Sequence, residues 1–464
     1  MSTVRARPTR SAPPDHLGSH APARVVPVSD TSVKIALFGP GTVGSQVIRL
    51  LTEQAADLAS RVGAPVEIVG IYVRDLTKER EGIDPALLTD DADALIAKAD
   101  VVIELMGGIE PAKSIILKAI AAGAGVVTAN KALLAAHGPE LYEAADAANV
   151  DLYFEAAVAG AIPIIRPVRE SLAGDHVRRI LGIVNGTTNY VLDEMTSRAL
   201  DYDVAVKQAQ DLGFAEADPS ADVDGFDAAA KAAILASLAF HQRVALEDVY
   251  REGISAITAA DVAAATESGH VIKLLAIAER TGEGPDGGVS VRVHPALVPL
   301  THPLASVRGA YNAVFVEAEA AGDLMFYGQG AGGTPTASAV LGDVVSVARH
   351  IAQGGKGPRE SHYGDLPVLP ISAASSRFQL RMTVPDRPGV LAGIAATLSG
   401  HGVSIESVRQ KAGRQAADGA SAGPATLVIA THRAPESEFA LVLDALRASD
   451  AVIEIRSVLR IEGA

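Results

Sequence analysis

The stretch Phe226-Asp-Ala-Ala-Ala-Lys231-Ala-Ala-Ile-Leu-Ala-Ser-Leu238 carries one acid and one base a helical turn apart, Asp227 and Lys231. On a surface such a pair is an i,i+4 ion pair worth only ~0.3–0.5 kcal/mol. At about 100° per residue, however, Asp227, Lys231, Ile234, Leu235 and Leu238 share one arc of roughly 100°, and most other positions are alanine. The pair therefore lies on the stripe that should face the interior, where charges need partners or a chemical role. The acids just upstream suggest calcium. An EF-hand register on Ser220, Asp222, Asp224 and Gly225 puts Lys231 where the bidentate glutamate belongs, which rejects the metal loop.

A second constellation is Gly39-Pro-Gly-Thr-Val-Gly44, entered from the apolar run Val33–Phe38 and followed by a helical pattern. In a strand–turn–helix context this Gly-x-Gly-x-x-Gly reads as a dinucleotide loop. Gly39 permits the tight turn, Gly41 lets the backbone approach a pyrophosphate, and Gly44 lets helix pack on strand. The helix N-terminus supplies donors and positive potential, so Phe38, Thr42 and Val43 join the cofactor-binding set. At the end of the second strand, Arg74 could accept a 2′-phosphate and Asp75 a 2′-hydroxyl. Arg74 comes first, so the reading leans to NADP, with NAD open.

These residues must be positioned by real cores, and 464 residues suffice for two to four domains. Hydrophobic residues at 48% and charged residues at 20% are an ordinary globular balance. A net charge of −15 argues against an extensive nucleic-acid surface. With no cysteine there is no disulfide, zinc-thiolate site or thiol nucleophile. No run of about 18 apolar residues is present to span a membrane. Residues 1–30, with four Arg, five Pro and no aromatic, read as a disordered tail, an organelle transit peptide being the alternative. Short strands near Val33–Phe38, Val66–Val73, Ala99–Leu105 and Gly125–Thr128 alternate with helices, the pattern of a parallel sheet covered on both faces. This gives a nucleotide-binding domain over 31–152 and a mixed α+β domain over 153–353. A Gly-, Pro- and Ser-rich linker at 354–377 and a βαββαβ unit at 378–464 follow.

Further motifs match one family when taken together. They are Glu104-Leu-Met-Gly-Gly108, Thr128-Ala-Asn-Lys131, Phe154 to Pro163, Asn185-Gly-Thr-Thr-Asn189, Gly213-Phe-Ala-Glu-Ala-Asp-Pro219 and Tyr327-Gly-Gln-Gly-Ala-Gly332. From about residue 31 onward the chain resembles homoserine dehydrogenase. Its last unit, with Val384-Pro-Asp-Arg-Pro-Gly-Val-Leu391, resembles an ACT domain, a small amino-acid sensor with a ferredoxin-like fold. The resemblance implies reversible NAD(P)H-dependent reduction of L-aspartate 4-semialdehyde to L-homoserine, on the route to threonine, isoleucine and methionine. It implies that Lys131 and Lys231 are catalytic lysines and that Glu216, Asp222, Gly186 and Thr187 contact substrate. Gly330 and Lys131 are implied as cofactor contacts, and residues 153–353 as the catalytic and dimerisation domain. The aldehyde oxygen needs a proton or a cation as charge develops on it, and an interior ammonium at Lys231 can supply both. Asp227 can orient that ammonium and keep it charged, which leaves Glu216 for the substrate's α-ammonium.

The resemblance also implies that the loop after Phe154 turns backbone carbonyls onto a sodium ion, involving Glu155, Val158, Gly160 and Ile162, with oxygen ligands that suit a hard cation. The bland reading of the same loop is a strand entering a turn before Pro163. In the last unit, Asp386 lies beside the helix start at Gly389 and Val390. There an amino acid's carboxylate could dock on the N-terminus and its ammonium on the acid. The expected effector is L-threonine, the expected assembly a homodimer or homotetramer, and the expected location the cytoplasm. A chain ending near Ser372 is expected to stay active without threonine control. An aspartokinase fusion is not expected, because no kinase-length segment precedes residue 31. The rival functions are a related semialdehyde dehydrogenase and a non-catalytic NADP and amino-acid sensor.

Overall fold

The computed structural model describes residues 31–282, 287–359, 364, 366–411 and 423–463; the expected tail and part of the linker lie outside them. Six parallel strands build the first sheet: β1 (Val33–Phe38), β2 (Val66–Tyr72), β3 (Leu88–Thr89), β4 (Val101–Glu104), β5 (Gly125–Thr128) and β6 (Leu152–Tyr153). Their order is β3-β2-β1-β4-β5-β6. The buried faces of β1, β4 and β5 carry Ile35, Leu37, Val101, Ile103 and Val127, the continuous apolar runs a doubly covered parallel sheet needs. Helices α1 (Thr42–Glu53), α2 (Ala55–Val62), α3 (Ala92–Ile96), α4 (Ala112–Ala121) and α5 (Lys131–Ala148) connect the strands.

The second unit adds β7 (Val177–Ile183), β8 (Tyr250–Arg251), β9 (His270–Thr281), β10 (Gly288–Pro299), β11 (Tyr311–Ala318), β12 (Gly322–Gln329) and β13 (Val368–Leu369). Its helices are α6 (Gly186–Arg198), α7 (Tyr202–Asp211), α8 (Ser220–Val223), α9 (Phe226–Phe240), α10 (Ala259–Glu267) and α11 (Gly333–Ala352). Helix α11 returns to the first unit. Its Ala337, Val340, Val344 and Val347 share a core with Leu37, Val47 and Ile103. The stretch expected to be a free linker carries β13, which pairs in parallel with β10.

The last unit follows the expected alternation: β14 (Ser375–Val384), α12 (Val390–Gly400), β15 (Ile405–Lys411), β16 (Ala425–Thr431), the short β17 (Ala434–Pro435), α13 (Glu436–Arg447) and β18 (Glu454–Ile461). Its strands run β18-β14-β16-β15, the ferredoxin-like order. The unit is not a separate body, because β18 also pairs in parallel with β10, joining Arg460 to Ala296 and Ile461 to Leu297. Beyond it Glu462, with its side chain 1% exposed, reaches Arg292 of β10 at 3.3 Å and also pairs with Arg179 of β7. A chain cut near Ser372 would lose these contacts, so truncation removes support from the sheet of β7 and β10 as well as the last unit. No helix among the described residues is long and apolar enough to cross a membrane.

Candidate active site

The chain runs from β1 outward to β2 and β3 on one side and then crosses back to β4 on the other side of β1, which opens a crevice at the carboxyl ends of the strands. A cleft of about 410 Å³ sits there, lined among others by Gly39, Pro40, Tyr72, Arg74, Lys78 and Arg80. Gly39 has φ +97°, and a Cβ on it would stand 2.8 Å from the Leu105 carbonyl oxygen. A Cβ on Gly44 would stand 2.2 Å from the Gly39 carbonyl oxygen, so only glycine lets α1 approach the turn this closely. Gly41 faces open space. Thr42 and Val43 open α1, and no side chain caps its first amides, which leaves them for a ligand. The Phe38 ring is buried and stacked on Tyr72 at 5.2 Å, so it shapes the cleft from beneath.

At the rim, Asp75 accepts hydrogen bonds from the Thr77 hydroxyl (2.6 Å) and the Thr77 amide (2.9 Å). These bonds hold its carboxyl below the usual aspartate range. Asp75 is thus occupied within its own turn, while Arg74 stands exposed beside Lys78 and Arg80. Lys78 and Arg80 were not among the sequence candidates. Their signal is the closeness of three bases after one strand.

Two of the quoted motifs act as one support. Glu104, fully buried, accepts from the Met106 amide (2.7 Å), the Gly107 amide (3.1 Å) and the Thr128 hydroxyl (2.7 Å). Asn130 caps α5 through the Leu133 amide (3.1 Å) and donates to the Gly108 carbonyl (2.6 Å). Lys131 is thereby fixed as the first residue of α5.

Helix α5 packs on α9, and Leu134, Ala229 and Ala233 belong to one core. That contact brings Lys131 to α9. Its Nζ lies 2.6 Å from Asp227 Oδ1, while Lys231 Nζ lies 2.7 Å from Asp227 Oδ2. The Lys231 side chain is 10% exposed and also donates to the Val184 carbonyl (2.7 Å); that of Lys131 is 45% exposed. Burial pushes the Asp227 carboxyl up, but Lys231 and Lys131 together outweigh burial and hold it well below the usual range. The interior stripe of α9 thus carries a carboxylate clamped between two ammonium groups.

Asn185 joins this centre to the expected substrate residues. Its amide donates to Asp222 Oδ1 (2.7 Å) and Asp227 Oδ2 (2.9 Å), and its carbonyl oxygen caps α6 through the Thr188 amide (2.8 Å). Gly186 and Thr187 are then the first residues of α6, and Thr187 donates to the Phe214 carbonyl (2.6 Å) of the loop that carries Glu216. Glu216 is exposed and makes no ion pair among the described residues. Asn185 was quoted within a motif but given no role. An amide with donors for two carboxylates and a cap to offer is the signal that it is a hub.

The loop after Phe154 is buried from Glu155 to Gly160 and again at Ile162. The Glu155 carboxylate is engaged by the amides of Ile164 (2.6 Å), Ile165 (2.7 Å) and Arg166 (3.0 Å), so only its backbone carbonyl is left for a cation. Ala159 and Gly160 both have φ +57°, which turns successive carbonyls to one side. Among the described residues no backbone amide bonds the carbonyls of Val158, Gly160 or Ile162, a donor set that fits a monovalent hard cation. Gly160 also packs against Gly330, where a Cβ on Gly160 would stand 2.4 Å from the Gly330 carbonyl oxygen. The turn 328–333 thus lies between this loop and Thr42 of α1. In the last unit Gly389 has φ +91° and starts α12 at Val390, with Asp386 reached by Gln410 Nε2 at 3.4 Å.

Family models match this layout in chain order: "Homoserine dehydrogenase, NAD binding domain" over residues 39–155, "Homoserine dehydrogenase" over 163–345 and "ACT domain" over 378–450. Homoserine dehydrogenase of Corynebacterium glutamicum is 54% identical over 435 residues, 93% of this chain and 96% of the relative. The chain belongs to the homoserine dehydrogenase family. A crystal structure of a homoserine dehydrogenase from Thiobacillus denitrificans matches with TM-score 0.86 and 39% identity, covering 93% of this chain and 98% of that one. A hyperthermophilic archaeal homoserine dehydrogenase in complex with NADPH matches with TM-score 0.58 and 25% identity, covering 71% of this chain and all of that one. The chain is an oxidoreductase acting on a CH–OH donor with a nicotinamide cofactor. It interconverts L-homoserine and L-aspartate 4-semialdehyde in amino-acid biosynthesis and carries a C-terminal ACT domain suited to amino-acid regulation.

Proposed function

We propose that Lys231 is the proton donor to the carbonyl oxygen of L-aspartate 4-semialdehyde and that Lys131 is the second catalytic cation. The observation that carries this reading is the single carboxylate of Asp227 holding both ammonium groups, at 2.6 and 2.7 Å. The bound cofactor supplies hydride. The chain's own task is to meet the negative charge that develops on oxygen, and preorganised cations in a partly buried site do so without reorganising. Asp227 keeps Lys231 aimed and charged. Glu216 and Asp222 receive the substrate's α-ammonium, with Gly186 and Thr187 at the N-terminus of α6 receiving its carboxylate.

The cofactor is NADP rather than NAD, held by Gly39, Gly41, Thr42, Val43, Gly44 and Gly330, with Arg74 on the 2′-phosphate and Lys78 and Arg80 beside it. A sodium ion bound by the carbonyls of Glu155, Val158, Gly160 and Ile162 stiffens the loop that backs Gly330. L-threonine binds at Asp386, Gly389 and Val390 and inhibits. A homodimer or homotetramer working in the cytoplasm completes the reading, on the strength of the family resemblance. The test is homoserine oxidation assayed with each cofactor, with and without threonine. Equal kcat/KM with NAD and NADP would remove the assigned role of Arg74.

A further inference from the structure

Asn189 closes the Asn185-Gly-Thr-Thr-Asn189 motif, yet it makes no hydrogen bond to the groups that clamp the lysines. Its buried amide faces away from them and donates to the carbonyls of Gly309 (2.8 Å), Tyr311 (3.2 Å) and Val307 (3.4 Å). Its carbonyl oxygen accepts from Lys273 Nζ at 2.8 Å. Lys273, on β9 and 3% exposed, also donates to the Val307 carbonyl at 2.5 Å. No carboxylate forms an ion pair with Lys273 among the described residues. The charged groups around it are Asp193 of α6 and Arg308 of the loop, themselves paired at 2.6 Å. Burial pulls Lys273 down to about 8; Asp193 opposes this and Arg308 adds to it. Its two hydrogen bonds, to the Asn189 amide oxygen and the Val307 carbonyl, are those an ammonium makes.

An ammonium can only donate, so the oxygen of the Asn189 amide must face Lys273. That orientation leaves the amide nitrogen for three converging carbonyls, which would otherwise repel one another. Residues 307–311 are held as one rigid turn. Within it the Ala310 carbonyl packs so closely on α6 that a Cβ on Gly186 would stand 2.7 Å from its oxygen.

We infer that Lys273 is a positioning residue for the known reaction: through Asn189 it holds the 307–311 turn against Gly186 and so fixes the helix start that receives the substrate's carboxylate. The inference rests on the proposed role of Gly186 and Thr187. It separates substrate affinity from chemistry, because Lys273 touches neither Lys231 nor the cofactor cleft.

The test compares Lys273→Met, Asn189→Ala and the double variant in the full-length enzyme, with NADPH affinity as the control for fold. Lys273→Met should raise KM for homoserine by ~10-fold, the effect of about one lost hydrogen bond. Both kcat and the Kd for NADPH should stay within about threefold of the parent, a split that a general loss of stability would not give. The double variant should be no worse than the poorer single variant, since both act on one chain of contacts. An unchanged KM, additive losses, or parallel losses in KM, kcat and NADPH affinity would each overturn the inference. Should Lys273→Met not fold, Asn189→Ala is read by the same criteria. Thr187→Ala separates the two levels: if it raises KM and Lys273→Met does not, the positioning role alone fails. If neither raises KM, the assignment of the α6 start to substrate fails.

Discussion

Lys131 Nζ lies 2.6 Å from Asp227 Oδ1, although Lys131 starts a helix of the nucleotide-binding unit and Asp227 lies in the first turn of a helix of the second unit. The proposed catalytic charges are therefore assembled across the junction of the two units. Motion between the units would change how the second ammonium is held and leave the Asp227–Lys231 pair, which lies within one helix, unchanged.

Lys231→Met should retain NADPH binding and lower kcat by ~10²–10⁴, the usual range for a lost acid–base group. Asp227→Asn should lower kcat as well and also destabilise the fold, because it leaves the buried Lys231 ammonium without its carboxylate, a loss of ~3–5 kcal/mol. Single-turnover reduction with thermal unfolding on the same samples tests both, and near-parental turnover in Lys231→Met would sink the mechanism.

Arg74→Ala should weaken NADPH by ~1–3 kcal/mol and leave NADH nearly unchanged, because only the 2′-phosphate offers a charge to the guanidinium. Fluorescence titration with each cofactor measures it. Equal losses for both would mean that Arg74 supports the loop rather than reading the phosphate.

Gly160→Ala should lower activity, since the new methyl would stand 2.4 Å from the Gly330 carbonyl oxygen at a φ of +57° that alanine disfavours. If the neighbouring carbonyls hold sodium, activity of the parent enzyme should fall when sodium is replaced by choline. A parent enzyme indifferent to the cation would remove the proposed ion.

Asp386→Ala should raise the threonine concentration needed for half-inhibition by ~10-fold or more, as expected for a lost ammonium partner. This is a cleaner test than truncation. A chain ending near Ser372 removes Glu462 from Arg179 and from the fully buried Arg292, leaving Glu317 and Glu279 as their partners, and so weakens the sheet. The truncated enzyme should unfold at a clearly lower temperature than the full chain in calorimetry, and an unchanged Tm would contradict the coupling of the two units through β18.

The pH dependence of stability should carry a signature of Lys273. Its folded value of about 8 lies below the ordinary lysine value of 10.5, so in that window the unfolded chain holds more protons. Stability attributable to Lys273 should therefore rise as pH goes from about 8 to 10.5, by at most on the order of 3 kcal/mol. Urea unfolding of Lys273→Met should show a correspondingly smaller rise, and parallel pH profiles would contradict the burial of a charged lysine.

The sequence alone determined the features that are local in the chain. The Gly39–Gly44 turn was legible because its backbone needs fall on three glycines at fixed spacing. The interior placement of Asp227 and Lys231 was legible because helical periodicity fixes which residues share a face. The ferredoxin-like alternation after residue 378 was legible for the same kind of reason. Tertiary structure alone decided which distant groups share a charge. Nothing in the order of residues says that Lys131 meets Asp227 rather than water, that Asn185 bridges Asp222 to Asp227, or that Glu462 enters the catalytic sheet. Nor does it say that Asp75 is occupied by Thr77 while Arg74 stands exposed at the rim. Periodicity reports the face a side chain lies on, because that follows from local backbone geometry. The partner on that face is set by how helices and sheets pack, and a buried charge is tolerated only where packing delivers its opposite within hydrogen-bond distance.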